Sequence, residues 1–167
     1  YYTGTVYETM LSGHESMGSV SSGGRYDSLA SDGKHTYPGV GISLGLTRLL
    51  APMIGKGSIA ASRSVPSAVL VAVNTEDDRE VSQHIARQLR SRGVPCEVAP
   101  KADKFGKQIR YADRRSIPFV WFPGSVHDGV RGDDEVKDIR SGEQVVARAD
   151  SWNPPAADLW PTVVGTW

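Results

Sequence analysis

A continuous apolar run near the middle of the chain constrains the fold most strongly. Residues 68–73 read Ala-Val-Leu-Val-Ala-Val, without the alternation of a strand that has one wet face. Such a run predicts a strand covered on both faces, as in parallel sheets. Residues 81–89 follow with apolar side chains at a four-residue spacing, and Gly93 marks the end of the helix that this spacing predicts. The second half of the chain is therefore expected to be an α/β structure.

The rest of the second half adds further strands, a helix and a hairpin. Thr75 is followed by Glu-Asp-Asp, which predicts a helix start there, because the free N–H groups of a first turn need acceptors. Four more elements, a strand, a helix, a strand and a hairpin, are predicted over residues 96–99, 105–112, 118–122 and 135–147. Residues 55–67 are small and polar, so we expect a domain boundary between residues 1–60 and 61–167. The tail from Trp152 onwards is predicted to be an ordered coil.

Composition excludes several classes of protein. Hydrophobic residues make up 39% of the 167 residues, and 19 basic residues balance 19 acidic ones, so disordered and collagen-like chains are excluded. A run of about 18 apolar residues is lacking, so no membrane-spanning helix is expected. Cys96 is the single cysteine, which excludes an internal disulfide and a multi-cysteine zinc site. The four histidines lack ligand spacing, so no metal site is expected.

Three clusters in the first half offer candidate chemistry. Residues 1–11 predict a strand with one polar face. Residues 23–27, Gly-Gly-Arg-Tyr-Asp, indicate either a tight turn before a short helix or a backbone that approaches a ligand closely. Residues 39–45 predict a glycine-containing strand that leads into a helix, with Arg48 in its first turn, where an anion would meet a guanidinium and free N–H groups. By spacing alone, ordinary strands remain an open alternative for the first and third clusters.

In this order, the three clusters resemble the histidyl-tRNA synthetase family. YYTGTVYE at 1–8 and GGRYD at 23–27 resemble its histidine-binding signatures, and GVGISLGLTRL at 39–49 resembles motif 3 of class II synthetases. Residues 105–113 and 136–144 resemble a helix and a closing hairpin of its anticodon-binding domain. The resemblance implies a partial antiparallel class II sheet with the motif 3 strand and helix. A mixed-sheet anticodon-binding domain with helices packed on it would follow.

The resemblance also implies a reaction and its residues. Members of the family activate L-histidine with ATP and Mg²⁺, and then transfer it to tRNA(His). Hydroxyl groups suit a neutral imidazole, which has one donor and one acceptor nitrogen. The residues expected to bind histidine are Tyr1, Tyr2, Glu8, Gly24 and Tyr26. The residues expected to bind ATP are Gly39, Gly41, Gly45 and Arg48. Arg48 is the expected catalytic residue, because it would hold the γ-phosphate and compensate charge on the leaving pyrophosphate.

Basic residues are concentrated in the second half. Nine basic and three acidic residues lie between His84 and Arg115, whereas four basic and seven acidic residues lie between His127 and Asp150. Basic solvated faces are common on helices of α/β domains, which is the alternative to a binding surface. Cations beside aromatic rings and an amide suit the phosphates and unpaired bases of an RNA loop. The resemblance favours tRNA contacts from Lys104, Lys107, Gln108 and Arg110.

Departures from the family pattern limit the expected activity. The sequence begins at Tyr1 without methionine. We therefore interpret it as a piece of a longer protein, one that starts inside a strand. The family's Arg-Gly-Leu-Asp segment and its motifs 1 and 2 are not in the sequence, and Thr47 stands where the family usually has glutamate. The 167 residues are therefore expected not to activate histidine alone. The parent would be a cytoplasmic homodimer with no membrane or DNA partner. The alternative is a non-catalytic RNA-binding or regulatory module.

Overall fold

The computed structural model describes residues 1–165, and its packing separates two compact units. The first unit contains residues 1–60 and Gly165, and the second contains residues 61–164. An antiparallel sheet forms the first unit, and a mixed sheet with helices forms the second. The α/β fold class expected from the sequence is confirmed.

Three antiparallel strands in consecutive order form the sheet of the first unit. The elements of this part of the chain are β1 (Val6–Thr9), a 3₁₀ turn (Glu15–Met17), β2 (Ser21–Ser31), β3 (Thr36–Leu44), α1 (Leu46–Gly55) and β4 (Ile59–Ala61). The strand and helix expected around motif 3 are therefore present as β3 and α1. Strand β1 is shorter than the strand predicted over residues 1–11, since residues 1–5 lie outside it. The amide of Thr3 nevertheless donates to the Arg25 carbonyl at 2.9 Å.

Strand β2 contains the Gly-Gly-Arg-Tyr-Asp segment, so the tight turn and short helix considered for it are wrong. Gly24 lies in the middle of the sheet, where it pairs with Val6 of β1 and with Gly41 of β3. A Cβ atom added to Gly24 would lie 2.8 Å from the Thr5 carbonyl oxygen and 2.9 Å from the Tyr2 ring. Glycine is required here because neighbouring groups approach the strand closely.

Strand β3 has an apolar, solvent-exposed face in the first unit, which is the face that does not carry Gly41. Val40, Ile42 and Leu44 alternate along this strand and are each more than half exposed, at 66%, 73% and 58%. Strand β3 is also an edge of the three-stranded sheet. Large apolar side chains in a contiguous row usually mark a surface that another structure covers.

A five-stranded sheet lies at the centre of the second unit. The elements, in chain order, are β5 (Val69–Val71), α2 (Arg79–Ser91), β6 (Cys96–Val98), α3 (Phe105–Arg114), β7 (Phe119–Phe122), β8 (Val126–His127), β9 (Val130–Arg131), β10 (Glu135–Asp138), β11 (Gln144–Val146), α4 (Ala156–Leu159) and β12 (Val163–Gly165). The spatial order of the sheet is β11-β10-β7-β5-β6. Strand β5 is parallel to both of its neighbours, and β10 is antiparallel to both of its own. The predicted closing hairpin is thus present.

Each face of this sheet is covered by one helix. On one face, Val69 and Trp121 pack against Leu89 of α2. On the other face, Leu70 and Val120 pack against α3. Successive side chains of a strand point to opposite faces, so a strand between two helices must be apolar at every position. This arrangement explains why the whole run at 68–73 is fully buried.

Two local predictions differ from the structure. Helix α2 begins at Arg79 rather than directly after Thr75. The Thr75 hydroxyl donates to the Asp78 carboxylate at 2.7 Å, and the Asp78 amide donates back to that hydroxyl at 3.3 Å, which closes a separate turn before the helix. The tail, expected to be a coil, contains α4 and β12.

Arg63 fixes the end of the second unit beside its beginning. Its buried guanidinium donates to the carbonyl oxygens of Val65, Pro66, Asp158 and Leu159 at 2.7–3.2 Å. Removal of water from the guanidinium lowers the pKa of Arg63. Part of the segment at 55–67, which is expected to be a linker or domain boundary, is therefore buried in the second unit at Arg63.

Candidate substrate face and nucleic-acid interface

One face of the three-stranded sheet gathers most residues expected to bind histidine and ATP. Tyr26 pairs with Gly39 and Gly24 pairs with Gly41, and residues directly opposite each other in antiparallel strands share a face. The register of β1 places Glu8 on the same face. We call these five residues the glycine face.

Tyrosine rings cover the glycines of this face. A Cβ atom on Gly39 would lie 2.7 Å from the Tyr26 hydroxyl, so the Tyr26 ring lies directly over β3. The Tyr2 ring lies over Gly24 in the same way, at 2.9 Å. Tyr1 packs against Tyr2 with 4.3 Å between ring centroids, and a hydrogen bond with Tyr1 raises the pKa of Tyr2. A ring of the protein itself thus covers Gly39, which is one of the residues expected to bind ATP.

A polar network next to the tyrosines holds the first residues against β2. The Thr3 hydroxyl donates to the Asp27 carboxylate at 2.7 Å, and the Arg25 guanidinium lies 3.0 Å from the same carboxylate. The Thr3 hydrogen bond, followed by the Arg25 charge, lowers the pKa of Asp27. These three residues lie within the motifs but are not among the site residues expected from the sequence, because Thr3 and Asp27 come together only where the chain before β1 lies along β2.

Arg48 lies at the other end of the same sheet. It stands in the first turn of α1, as predicted, and its guanidinium donates to the Ser19 carbonyl at 2.8 Å. With Ser22, Ser43 and Gly45 it lines a hollow of about 100 Å³. Ser22 and Ser43 continue the glycine face along β2 and β3, about 13 Å of strand from Tyr26. Arg48 and the tyrosines therefore border one face at separate positions along it.

A groove lined by four basic side chains lies beside α3 in the second unit. Its volume is about 330 Å³, and its cations are Lys101, Lys107, Arg110 and Arg114. The last three share one side of α3, because they are three and four residues apart. Lys107 is paired with Asp103 at 3.0 Å, and the groove also contains Tyr111. We call this feature the basic groove.

The structure separates the four residues expected to contact tRNA. Lys107 and Arg110 line the basic groove, and Lys104 is exposed where α3 begins. Gln108 is only 3% exposed. Its Oε1 accepts the Val73 amide at 3.0 Å and its Nε2 donates to the Val73 carbonyl at 2.9 Å. The side-chain amide of Gln108, which is expected to contact tRNA, is thus buried and already hydrogen-bonded to the backbone of Val73.

A second groove, of about 310 Å³, lies between the start of α3 and the closing hairpin. On one side Phe105 is 42% exposed and meets Phe122 edge to face, with 4.9 Å between ring centroids. The polar side chains in its lining include Glu135, Lys137 and Gln144. We call it the aromatic groove. The polar side chains of this groove were not predicted from the sequence. The two-residue alternation of the hairpin could have placed Glu135, Lys137 and Gln144 on one face.

The described residues 1–165 contain no group of three or more His, Cys, Asp or Glu side chains that could hold a metal ion. Burial raises the pKa of Cys96 to about 11, so its side chain is an inert thiol. Within the same residues, every helix is too short or too polar to cross a membrane.

The comparisons with known proteins agree with the motifs. Histidine–tRNA ligase of Cutibacterium acnes is 75% identical over 167 residues, which are all of this chain and 37% of that protein. The Micrococcus luteus histidine–tRNA ligase is 58% identical over 98% of this chain and 35% of its own length. The chain thus spans about a third of the length of these curated relatives.

A solved structure and a family model extend the comparison. The crystal structure of histidyl-tRNA synthetase from Nostoc sp. PCC 7120 matches 90% of this chain and 35% of that protein, with 38% identity and a TM-score of 0.50. The resemblance drawn from the sequence motifs is therefore confirmed. A family model described as an anticodon binding domain matches residues 67–151, about half of the chain. The chain belongs to the anticodon-binding domain family.

Proposed function

We propose that the second unit binds the anticodon region of tRNA(His). We further propose that the whole protein is a histidine–tRNA ligase that consumes L-histidine and ATP. The basic groove carries the proposal for RNA. It gathers four cations, three of them on one side of α3, although the chain as a whole has equal numbers of basic and acidic residues. Cations that converge on a concave surface favour contact with phosphates.

Recognition is divided between the two grooves in this proposal. Lys104, Lys107 and Arg110 contact phosphates, which positions the RNA without reading its sequence. The aromatic groove takes an unstacked base, because the exposed ring of Phe105 offers a stacking surface. The polar groups lining the same groove provide donors and acceptors for the edge of that base.

The first unit contributes part of a catalytic site in this proposal. Tyr1, Tyr2, Glu8, Gly24 and Tyr26 bind histidine. The glycines of β3, with Gly45 and Arg48, border the ATP that arrives with Mg²⁺. The shared glycine face supports this assignment. The exposed apolar row on β3 supports the view that residues 1–60 are part of a larger domain. By resemblance to the family, the parent acts as a homodimer in the cytoplasm.

A competition experiment tests RNA recognition. Labelled tRNA(His) bound to the 167-residue chain is displaced with unlabelled tRNA(His) or with the same tRNA carrying an altered anticodon. The unaltered competitor is expected to be at least tenfold more effective, because the altered bases leave polar groups of the aromatic groove unpaired. Equal displacement by both competitors contradicts anticodon recognition and leaves only non-specific attraction to the basic groove.

A second experiment addresses catalysis. Histidine-dependent exchange of pyrophosphate into ATP is measured with the 167-residue chain and with a full-length relative as the positive control. The chain alone is expected to give background exchange, because Arg48 is its one cation assigned to ATP. Exchange well above background from the chain alone contradicts the assignment of an incomplete site.

A further inference from the structure

The loop between β6 and α3 forms one wall of the basic groove. We call residues 99–104 the groove loop. Ala99, Pro100, Lys101 and Asp103 all line the groove, and Lys104 ends the loop at the start of α3. The shape of this loop therefore determines where Lys101 and Lys104 place their charges.

Side chains from α2 and the turn before it bind the backbone of the groove loop. Arg79 donates to the Ala99 carbonyl at 3.1 Å and to the Pro100 carbonyl at 3.3 Å. Glu76 accepts the Ala102 amide at 2.9 Å and is paired with Arg79 at 2.7 Å. The Arg79 hydrogen bonds and the Ala102 amide lower the pKa of Glu76 to about 2. The Glu76 carboxylate is therefore charged at neutral pH and available to both partners.

Gln108 of α3 binds the backbone at the other end of the groove loop. Its Nε2 donates to the Asp103 carbonyl at 2.5 Å, and the same amide exchanges two hydrogen bonds with Val73, two residues after β5. The loop backbone is thus bound by side chains at four of its six residues. A loop held in this way loses its conformational freedom when the protein folds. Ligand binding therefore costs little further conformational entropy in the loop.

We propose that Glu76, Arg79 and Gln108 are positioning residues for RNA binding, which hold the groove loop in the shape that the RNA contacts. The inference rests on the proposed function of the basic groove. Glu76 has a charge that should by itself repel RNA, so a favourable effect of Glu76 on RNA binding must act through the loop.

The variant Glu76→Ala of the 167-residue chain tests this role. Binding of tRNA(His) is expected to weaken about tenfold, or about 1.4 kcal/mol. The slope of log affinity against log salt should stay unchanged, because the phosphate contacts in the complex are the same. The amide of Ala102 should exchange hydrogen faster, whereas the amide of buried Val71 should not.

Glu80→Ala is the matched control. Glu80 is exposed in the first turn of α2, so its loss removes the same charge from the same region. This variant is expected to bind tRNA(His) as tightly as the wild-type chain, or slightly more tightly. Arg79→Lys keeps the positive charge but loses the planar fork, and it should weaken binding like Glu76→Ala.

Failure of the inference differs from failure of the proposed function. If wild-type chain prefers tRNA(His) over the altered tRNA, while Glu76→Ala binds as tightly as wild type and Ala102 exchanges at the wild-type rate, the positioning role is wrong. Loss of affinity to the same extent in Glu80→Ala also refutes it. A wild-type chain without any preference refutes the proposed function, and the positioning role in recognition with it.

Discussion

Replacement of Arg110 by alanine tests whether the basic groove binds phosphates. Lys104, Lys107 and Arg110 are assigned to phosphates, and each neutralised phosphate of flexible RNA contributes about −0.7 to the slope of log affinity against log salt. Three contacts give a slope of about −2.1, so affinity should fall about 20-fold between about 50 and 200 mM salt. Arg110→Ala should make the slope shallower by about 0.7. Lys107→Ala should change affinity less, because Lys107 must leave Asp103 before it contacts RNA.

The assay is fluorescence anisotropy of labelled tRNA(His) over a series of salt concentrations. Arg87→Ala is the matched control, because Arg87 is an exposed arginine of α2, and α2 covers the opposite face of the sheet. Its slope should equal that of the wild-type chain. The reasoning is refuted if Arg110→Ala keeps the wild-type slope, or if Arg87→Ala makes the slope shallower by the same amount.

Three further predictions concern stability and reactivity. Arg63→Met removes four hydrogen bonds to backbone carbonyls and should lower the free energy of unfolding of the second unit by about 2–4 kcal/mol in urea titrations followed by tryptophan fluorescence; a loss below about 1 kcal/mol contradicts it. Because the pKa of Glu76 is lowered to about 2, its contribution to stability is complete above its ordinary pKa of 4.5 and is lost as the pH falls towards 2. The Ala102 amide resonance should report this titration, and a midpoint near 4.5 contradicts it. Cys96, with a pKa of about 11, should not react with an aromatic disulfide at pH 8 until the chain is unfolded, so equal rates in folded and unfolded chains contradict its burial.

Local patterns predicted the parts of the fold that local physics determines. The run at 68–73 is apolar at every position, as a strand covered on both faces requires, and its centre is β5. Gly93 follows α2 with a φ of +81°, a conformation that favours glycine, so the predicted end of the helix is confirmed. The motif 3 strand and helix were predicted for the same reason, since an apolar helical period begins directly after the glycine-rich strand.

The remaining features depend on partners that are distant in the sequence. Gln108 occupies a polar position in an amphipathic helix, and only its approach to Val73, 35 residues earlier, shows that its amide is used internally. Strand β2 begins with serine and glycine, which favour turns in isolation, but two neighbouring strands hold it extended. The glycine face likewise follows from strand register, which joins Tyr26 to Gly39 and which no single segment encodes.

The contacts of Arg63 have a consequence for engineering. They place residue 63 next to Leu159, so the two ends of the second unit are neighbours. A unit with adjacent ends can be joined head to tail, or inserted into a surface turn of another protein, without stretching its chain. This portion of the polypeptide is therefore suited to circular permutation and to transplantation as a cassette.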